Sequence, residues 1–203
     1  MIFDLRDEMV TQWADWLGDR MHTSTTIPRP IIERELRLII ELLGEMVGPV
    51  RRETKPVWYH ACEHYGRLAA TRGLAAGEVV DEMQFLRELL IRNLAPILAA
   101  MRPRRAMAIM LELNRVLDKG IGVAVVGYTD ALVATIFAQN GVPSPGTAVD
   151  AEEVGRQLEQ LEGELAAVGR TRSDLGRRQP LRRLLDLLAR CLARLLRCAH
   201  LSL

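Results

Sequence analysis

The 203-residue chain has few of the residues that support covalent or metal-based chemistry. Its three cysteines form no CxxC pair and no even disulfide framework, and it has only four histidines. The sequence lacks a G-x-S-x-G nucleophile elbow, a glycine-rich phosphate loop and the Glu-x-x-His pairs of a di-iron bundle. These absences argue against an enzyme, and we predict no catalytic residue, no cofactor and no metal site.

The sequence also has no long apolar run, and its first residues do not predict a secretory leader. No uninterrupted apolar stretch reaches the roughly 18–20 residues that a bilayer span needs. The first ten residues have neither the basic start nor the apolar centre of a signal peptide. Because the cysteines show no disulfide pattern either, we expect a cytoplasmic protein with reduced thiols and without a membrane span.

Positive charge is concentrated in the C-terminal part of the chain, where it is carried by arginine. Residues 1–165 carry a net charge of −6, whereas residues 166–203 carry nine Arg against two Asp, a net of +7. Such a tail suits nucleic acid, anionic lipid or an acidic partner. No aromatic residue follows Phe137, so the tail cannot stack on bases, and we predict no nucleic-acid partner. A solvated helix face, or an off-frame translation of GC-rich coding sequence, would explain the same composition.

The chain does have the composition of a helical protein, since Leu, Ala, Arg and Glu dominate it. Apolar residues that recur every three or four positions predict an all-α fold. Helices are expected at about residues 3–20, 30–48, 55–71, 77–100 and 103–139. Thr54 and Pro56 are expected to open the third of these helices, and Gly73 to end it. Pro96 is expected to kink or terminate the fourth.

Two features of the later helices bear on packing. The fifth helix contains Gly120, Gly122 and Gly127, which are costly inside a helix unless another helix approaches closely there. We therefore expect close packing at these glycines, with a hinge as the alternative. In the fourth helix an apolar stripe around Leu86 and Leu89 is expected to leave charged residues such as Glu82 off the stripe.

A proline-containing linker at residues 142–150 precedes a helix of different character. Within residues 151–176, five apolar residues alternate at spacings of four and three, which is the pattern of a coiled-coil seam. These predicted dimer-seam residues are Val154, Leu158, Leu161, Leu165 and Val168. An ordinary packed helix hairpin is the alternative, because three heptads are few.

Helices three to five resemble a known family of bacterial signalling domains. The segments that carry the resemblance are HACEHYGRLAATRGL at 60–74, EVVDEMQFLR at 78–87, LNRVLD at 113–118 and GYTD at 127–130. They are similar to the N-terminal sensor domain of RsbT co-antagonist proteins, the RsbRD type, which also precedes many bacterial histidine kinases. The similarity extends over about residues 10–140.

The resemblance implies a globin-like helical sensor domain, which we place at residues 1–141, and which usually carries no haem. Such domains dimerise and pass a stress signal through a C-terminal helix to an STAS domain or a kinase core. Here the signalling helix at 151–176 is followed only by the Arg/Leu-rich tail at 177–203. The expected function is therefore a non-enzymatic sensor module that acts as a homodimer on a downstream signalling protein.

Two alternatives to this function remain open. His60 and His64 are four residues apart on one helix face, so they could hold a metal ion, or one of them could ligate haem in an apolar cleft. The Arg-rich tail could instead make the chain an adaptor that binds a membrane surface or nucleic acid.

Overall fold

A computed structural model of the chain describes residues 2–20, 27–138 and 151–178. These residues form six helices and no strand, which confirms the all-α prediction. The helices are α1 (Ile2–Arg20), α2 (Arg29–Met46), α3 (Arg51–Thr71), α4 (Ala76–Ala99), α5 (Pro103–Ala138) and α6 (Ala151–Arg178). The predicted linker at 142–150, and all of the predicted tail except Arg177 and Arg178, lie outside the described residues.

Most helix bounds agree with the predicted ones, and the start of α3 is the clearest exception. The helix begins at Arg51 rather than near residue 55, so the prediction that Thr54 and Pro56 open it is wrong. Thr54 is buried in the first turn, where its hydroxyl donates to the carbonyl of Val50 at 2.8 Å. Gly73 ends α3 as predicted, with a φ of 77° that favours glycine.

Helices α1 to α5 pack on one another and are here called the body. Pro96 does not terminate α4, which continues to Ala99. The most extensive packing contact joins α3 to α5, while α2 packs on α1 and α3, and α4 packs on α5 and α1. The largest fully buried side chains lie between these helices and include Trp13, Leu36, Trp58, Tyr65 and Met83.

The crossing of α3 and α5 depends on glycine. A Cβ atom built at Gly66 of α3 would lie 1.8 Å from the carbonyl oxygen of Ala124. On α5, a Cβ at Gly127 would lie 2.3 Å from the carbonyl oxygen of Glu63, and one at Gly120 would lie 2.6 Å from the ring of Trp58. The backbones of the two helices therefore touch, which confirms the expected close packing at Gly120 and Gly127. Helix α5 runs unbroken through these positions.

Gly122 does not belong to this crossing. Among the described residues a Cβ there would meet no atom within 4 Å, so close packing between them does not explain this glycine. By length and composition, one helical stretch among the described residues, Pro103–Ile136, is long and apolar enough to cross a membrane. A helix of a soluble protein can pass the same test, so the absence of a membrane span stays a prediction.

The chain divides into two compact units, Met1–Leu165 and Ala166–Leu203. The boundary falls inside α6, so the first unit contains α1 to α5 together with the first half of α6. Of the second unit, the structure describes residues 166–178, which form the remainder of that helix.

Candidate functional site

The first half of α6 turns its apolar stripe into the first unit. Val154, Leu158 and Leu161 are 7%, 0% and 1% exposed, and Leu165 is half-buried. These side chains lie at the positions predicted for a dimer seam, yet in this structure a single chain already covers the first three. Val168 is buried as well and belongs to the second unit. Whether the five residues also pair two copies of the chain stays a prediction.

An arginine on α2 forms the main ionic contact with α6. The guanidinium of Arg34 donates two hydrogen bonds of 2.6 Å to the carboxylate of Glu162 and lies 3.9 Å from Glu159. This two-pronged geometry matches the fork of the guanidinium to the two carboxylate oxygens. The interaction raises the pKa of Arg34 and lowers that of Glu162, so both groups remain charged in the contact.

A buried histidine on α3 provides a second contact with α6. The Nδ1 atom of His64 lies 2.8 Å from the carboxylate of Glu35, and the two side chains are 6% and 2% exposed. The ring also forms a hydrogen bond with the side chain of Gln157 on α6. Burial lowers the pKa of His64, but its bond to Glu35, the charge of Glu35 and the bond to Gln157 together outweigh burial and raise it. The pair thus favours a protonated imidazole beside a carboxylate.

A second buried cluster of charged side chains lies inside the body and connects the C-terminal end of α3 to α4. Arg72 donates two hydrogen bonds, of 3.0 and 2.7 Å, to the carboxylate of Glu82, which also accepts a hydrogen bond from the hydroxyl of Tyr65. Arg72 and Glu82 are almost completely buried. The expectation that Glu82 lies off the apolar stripe is therefore wrong. Burial is tolerated because two hydrogen bonds from a cation satisfy the carboxylate.

The buried polar side chains described above stabilise the fold and are not arranged for catalysis. Burial, followed by the nearby charge of Glu35, raises the pKa of the Cys62 thiol well above its usual value, so the thiol stays protonated and weakly nucleophilic. Burial likewise raises the pKa of Tyr65, whose hydroxyl donates to Glu82. None of these groups is arranged as a nucleophile next to a general base.

The two histidines considered as metal or haem ligands have different surroundings. His64 is buried against Glu35, whereas His60 is partly exposed and its Nδ1 lies 3.5 Å from Glu164 of α6. In the part of the chain that the structure describes, no group of three or more His, Cys, Asp or Glu side chains is placed to hold a metal ion. The histidines instead contribute to the surface of α3 that faces α6.

Sequence reasoning missed the polar residues that connect α6 to the body. Glu35 could have been found, because it lies on the same helical face as Ile39, Leu42 and Met46, at spacings of four, seven and eleven. A carboxylate within an apolar stripe indicates a buried partner. Arg34 gave no such signal, since one more arginine on a polar helix edge is ordinary.

Comparison with known proteins adds no family to these observations. The chain matches no protein-family model, no curated protein and no solved structure.

Proposed function

We propose that the chain is a non-enzymatic sensor module that acts as a cytoplasmic homodimer. Its output is the C-terminal helix α6, through which it signals to a downstream protein of the STAS or histidine-kinase type. The globin-like character of the body and the pairing of α6 helices belong to this proposal. It is supported by the sequence resemblance of residues 10–140 and by the way in which α6 contacts the body.

The main support for the proposal is that most of the heptad stripe of α6 is buried within a single copy of the chain. With Leu158 and Leu161 buried within a single chain, the centre of the stripe has no free surface for a second α6. The stripe can therefore pack on the body or pair with another helix, but not both at once. Two mutually exclusive arrangements are what a switch requires, because a signal acts only by favouring one state over the other.

Release of α6 from the body would break polar contacts that are individually weak, so a small difference in binding free energy could favour the released state. The Arg34–Glu162 ion pair is partly exposed, and such pairs contribute about 0.2–1 kcal/mol. The bond between His64 and Gln157 is a single link to α6. A ligand or partner that binds the released state more tightly would then free the stripe for pairing.

The test is to weaken the ionic contact in a chain whose stripe carries one reporter cysteine and is otherwise unchanged. Arg34→Glu places a carboxylate beside Glu159 and Glu162, and Leu165→Cys reports α6–α6 pairing by disulfide formation. Cys191 and Cys198 are replaced by serine in the full chain, while Cys62 is buried and stays. We expect the intermolecular disulfide to form about fivefold faster with Arg34→Glu, the factor that corresponds to about 1 kcal/mol.

A matched control lies on the same helix. Arg29 is bonded to Asp15 and Glu33, not to α6, so Arg29→Glu makes the same charge change without touching the contact. This variant should cross-link at the parental rate. Equal rates in the two variants, or no disulfide in either, would contradict the proposed exchange of α6 between the body and a second copy.

A further inference from the structure

The hairpin of α4 and α5 ends in a segment whose charged side chains are all positive. Residues 89–111, here called the α4–α5 tip, contain four arginines and no Asp, Glu, Lys or His. The acidic residues that border the tip, Glu88 and Glu112, form ion pairs with Arg92 and Arg51. Their charges are therefore compensated, and the tip carries a net positive charge.

Three of the four arginines of the tip are free to bind another molecule. Arg102 lies in the connection between the helices, Arg104 and Arg105 lie in the first turn of α5, and all three are exposed. Within the part of the chain that the structure describes, none of their side chains forms an ion pair or a hydrogen bond. Closely spaced charges of one sign create a positive potential that attracts anions.

Large apolar side chains are exposed on the same tip. Ile91, Met107 and Leu111 are 41%, 61% and 50% exposed. On α5, Arg104, Met107 and Leu111 follow one another at spacings of three and four, so a cation and two apolar side chains share one helix face. Ile91 lies eight residues before the end of α4 and Leu111 eight residues after the start of α5, so the short connection places them at the same level. An exposed apolar patch bordered by charge marks an interaction site.

We propose that the α4–α5 tip binds the surface of a bilayer that contains anionic lipids. The guanidinium groups of Arg102, Arg104 and Arg105 bind the lipid phosphates, while Met107 and Leu111 enter the boundary between head groups and acyl chains. The tip is a different surface from the α6 stripe, so this inference does not depend on the proposed function.

The apolar side chains favour a lipid surface over nucleic acid as the partner. The tip contains no Phe, Tyr or Trp that could stack on bases, and a phosphate backbone would leave Met107 and Leu111 exposed to water. Surface binding also preserves the fold. Because α5 is packed on α3 at Gly120 and Gly127, a bilayer span by α5 would have to break that crossing, whereas contact through the tip leaves it intact.

The charge is tested by co-sedimentation of the full chain with vesicles. Phosphatidylcholine vesicles that contain phosphatidylglycerol should bind the parent at least about tenfold more tightly than phosphatidylcholine vesicles alone. Arg104→Gln should weaken binding to the anionic vesicles about fivefold, and the triple variant Arg102→Gln/Arg104→Gln/Arg105→Gln about 100-fold. Lys119→Gln is the matched control, because it removes an exposed charge about 22 Å further along α5. It should bind like the parent.

The apolar contact is tested on the same vesicles. Met107→Gln should weaken binding about fivefold, because a side chain that enters the bilayer becomes polar. Val126→Gln changes a similarly exposed side chain about 28 Å along the helix and should have no effect. All these variants change exposed side chains, so their thermal melts should match that of the parent.

Three results would overturn the proposal. One is a parent chain that binds neither kind of vesicle, or both equally. Another is binding that the arginine variants of the tip leave unchanged, which would assign it to a different surface such as the Arg-rich tail at 177–203. The third is an unaltered affinity of Met107→Gln together with equally tight binding of the parent to a DNA duplex, which would identify a general polyanion site.

Discussion

The α3–α5 crossing and the docking of α6 show two ways of joining helices within one compact unit. At the crossing, glycine removes the side chains, and the backbone at Gly66 touches the backbone at Ala124. At α6, the contact is made by side chains: an apolar stripe centred on Leu158 and an ion pair to Arg34 at its edge. The α3–α5 crossing leaves no room for the two helices to move past each other. The side-chain contact of α6 can open without a change in the packing of α3 on α5.

This difference suggests which part of the molecule is the frame and which part moves. Close backbone packing is disrupted only by unfolding, because no rotamer change can relieve it. A side-chain contact such as that of α6 can open locally at a free energy below that of global unfolding. Substitutions at the α3–α5 crossing, in the buried charge cluster and on α6 distinguish the two kinds of contact.

The strongest test of the rigid joint is Gly66→Ala. The added methyl group would lie 1.8 Å from a backbone oxygen, so α3 and α5 must separate. Overpacking usually costs 1–3 kcal/mol, and we expect about 4 kcal/mol here because backbone rather than a side chain must move. Urea denaturation measures the loss. Gly163→Ala on α6, where the space is open, is the control and should stabilise the protein by about 0.5 kcal/mol.

The buried cluster of the body should be nearly as sensitive. Glu82→Gln keeps the shape of the side chain but leaves the charge of Arg72 without a counter-ion in a buried site. We expect a loss of about 3 kcal/mol in the free energy of unfolding, also measured with urea. Glu88→Gln removes a carboxylate from the same helix at an exposed ion pair and should change stability by less than about 0.5 kcal/mol. Similar losses in the two variants would show that the cluster does not support the body.

A substitution in the α6 stripe should weaken the docking of α6 without lowering the stability of the whole unit. Leu158→Ala removes a completely buried side chain from the stripe and should weaken docking by about 2 kcal/mol. Limited proteolysis should then cut α6 faster, while the cooperative unfolding of α1 to α5 shifts little. The exposed Gln160→Ala on the same helix is the control. If Leu158→Ala lowered the stability of the whole unit by the same amount, α6 would be part of the core.

The histidine between the body and α6 should make stability depend on pH. The folded state raises the pKa of His64, so the protonated form stabilises the fold. This stabilisation is complete below the unfolded-state pKa of about 6.5 and is lost as the pH rises through the higher folded-state pKa. Thermal melts at about pH 6 and about pH 8.5 should show a larger loss for the parent than for Glu35→Gln, which removes the main raising interaction. Arg67, whose charge lowers the pKa of His64, stays in place in both proteins. Equal losses in the two proteins would exclude this pair as the origin of the pH dependence.

Much of the helical framework could be predicted from the sequence, because apolar periodicity and glycine reflect local physics. The close packing at Gly120 and Gly127 followed from the cost of glycine in a helix. The start of α3 did not, since Pro56 reads as the opening of a helix and lies in fact inside one. Residues before a proline favour extended backbone, but the packing of buried Thr54 and Val57 overrides that preference here.

The α6 stripe shows a deeper limit of sequence reasoning. Spacings of four and three reveal that Leu158 and Leu161 lie on one helix face, but not which surface covers them. On α5, Val126, Val133 and Ile136 also lie on one helix face, yet they are 57%, 43% and 59% exposed. The buried position of Glu82 was missed for a related reason, because its partner Arg72 belongs to another helix terminus and only the tertiary structure brings them together.

Hydrogen exchange measured along the native full chain distinguishes a separable α6 from a single cooperative unit. If α6 is a separable element on a rigid body, its amides at residues 155–165 should exchange through a local opening, at a free energy below that of the amides of α3 and α5 around Gly66 and Ala124. Arg34→Glu should lower the first value and leave the second unchanged. A single common exchange free energy for α6 and the α3–α5 crossing would contradict the account.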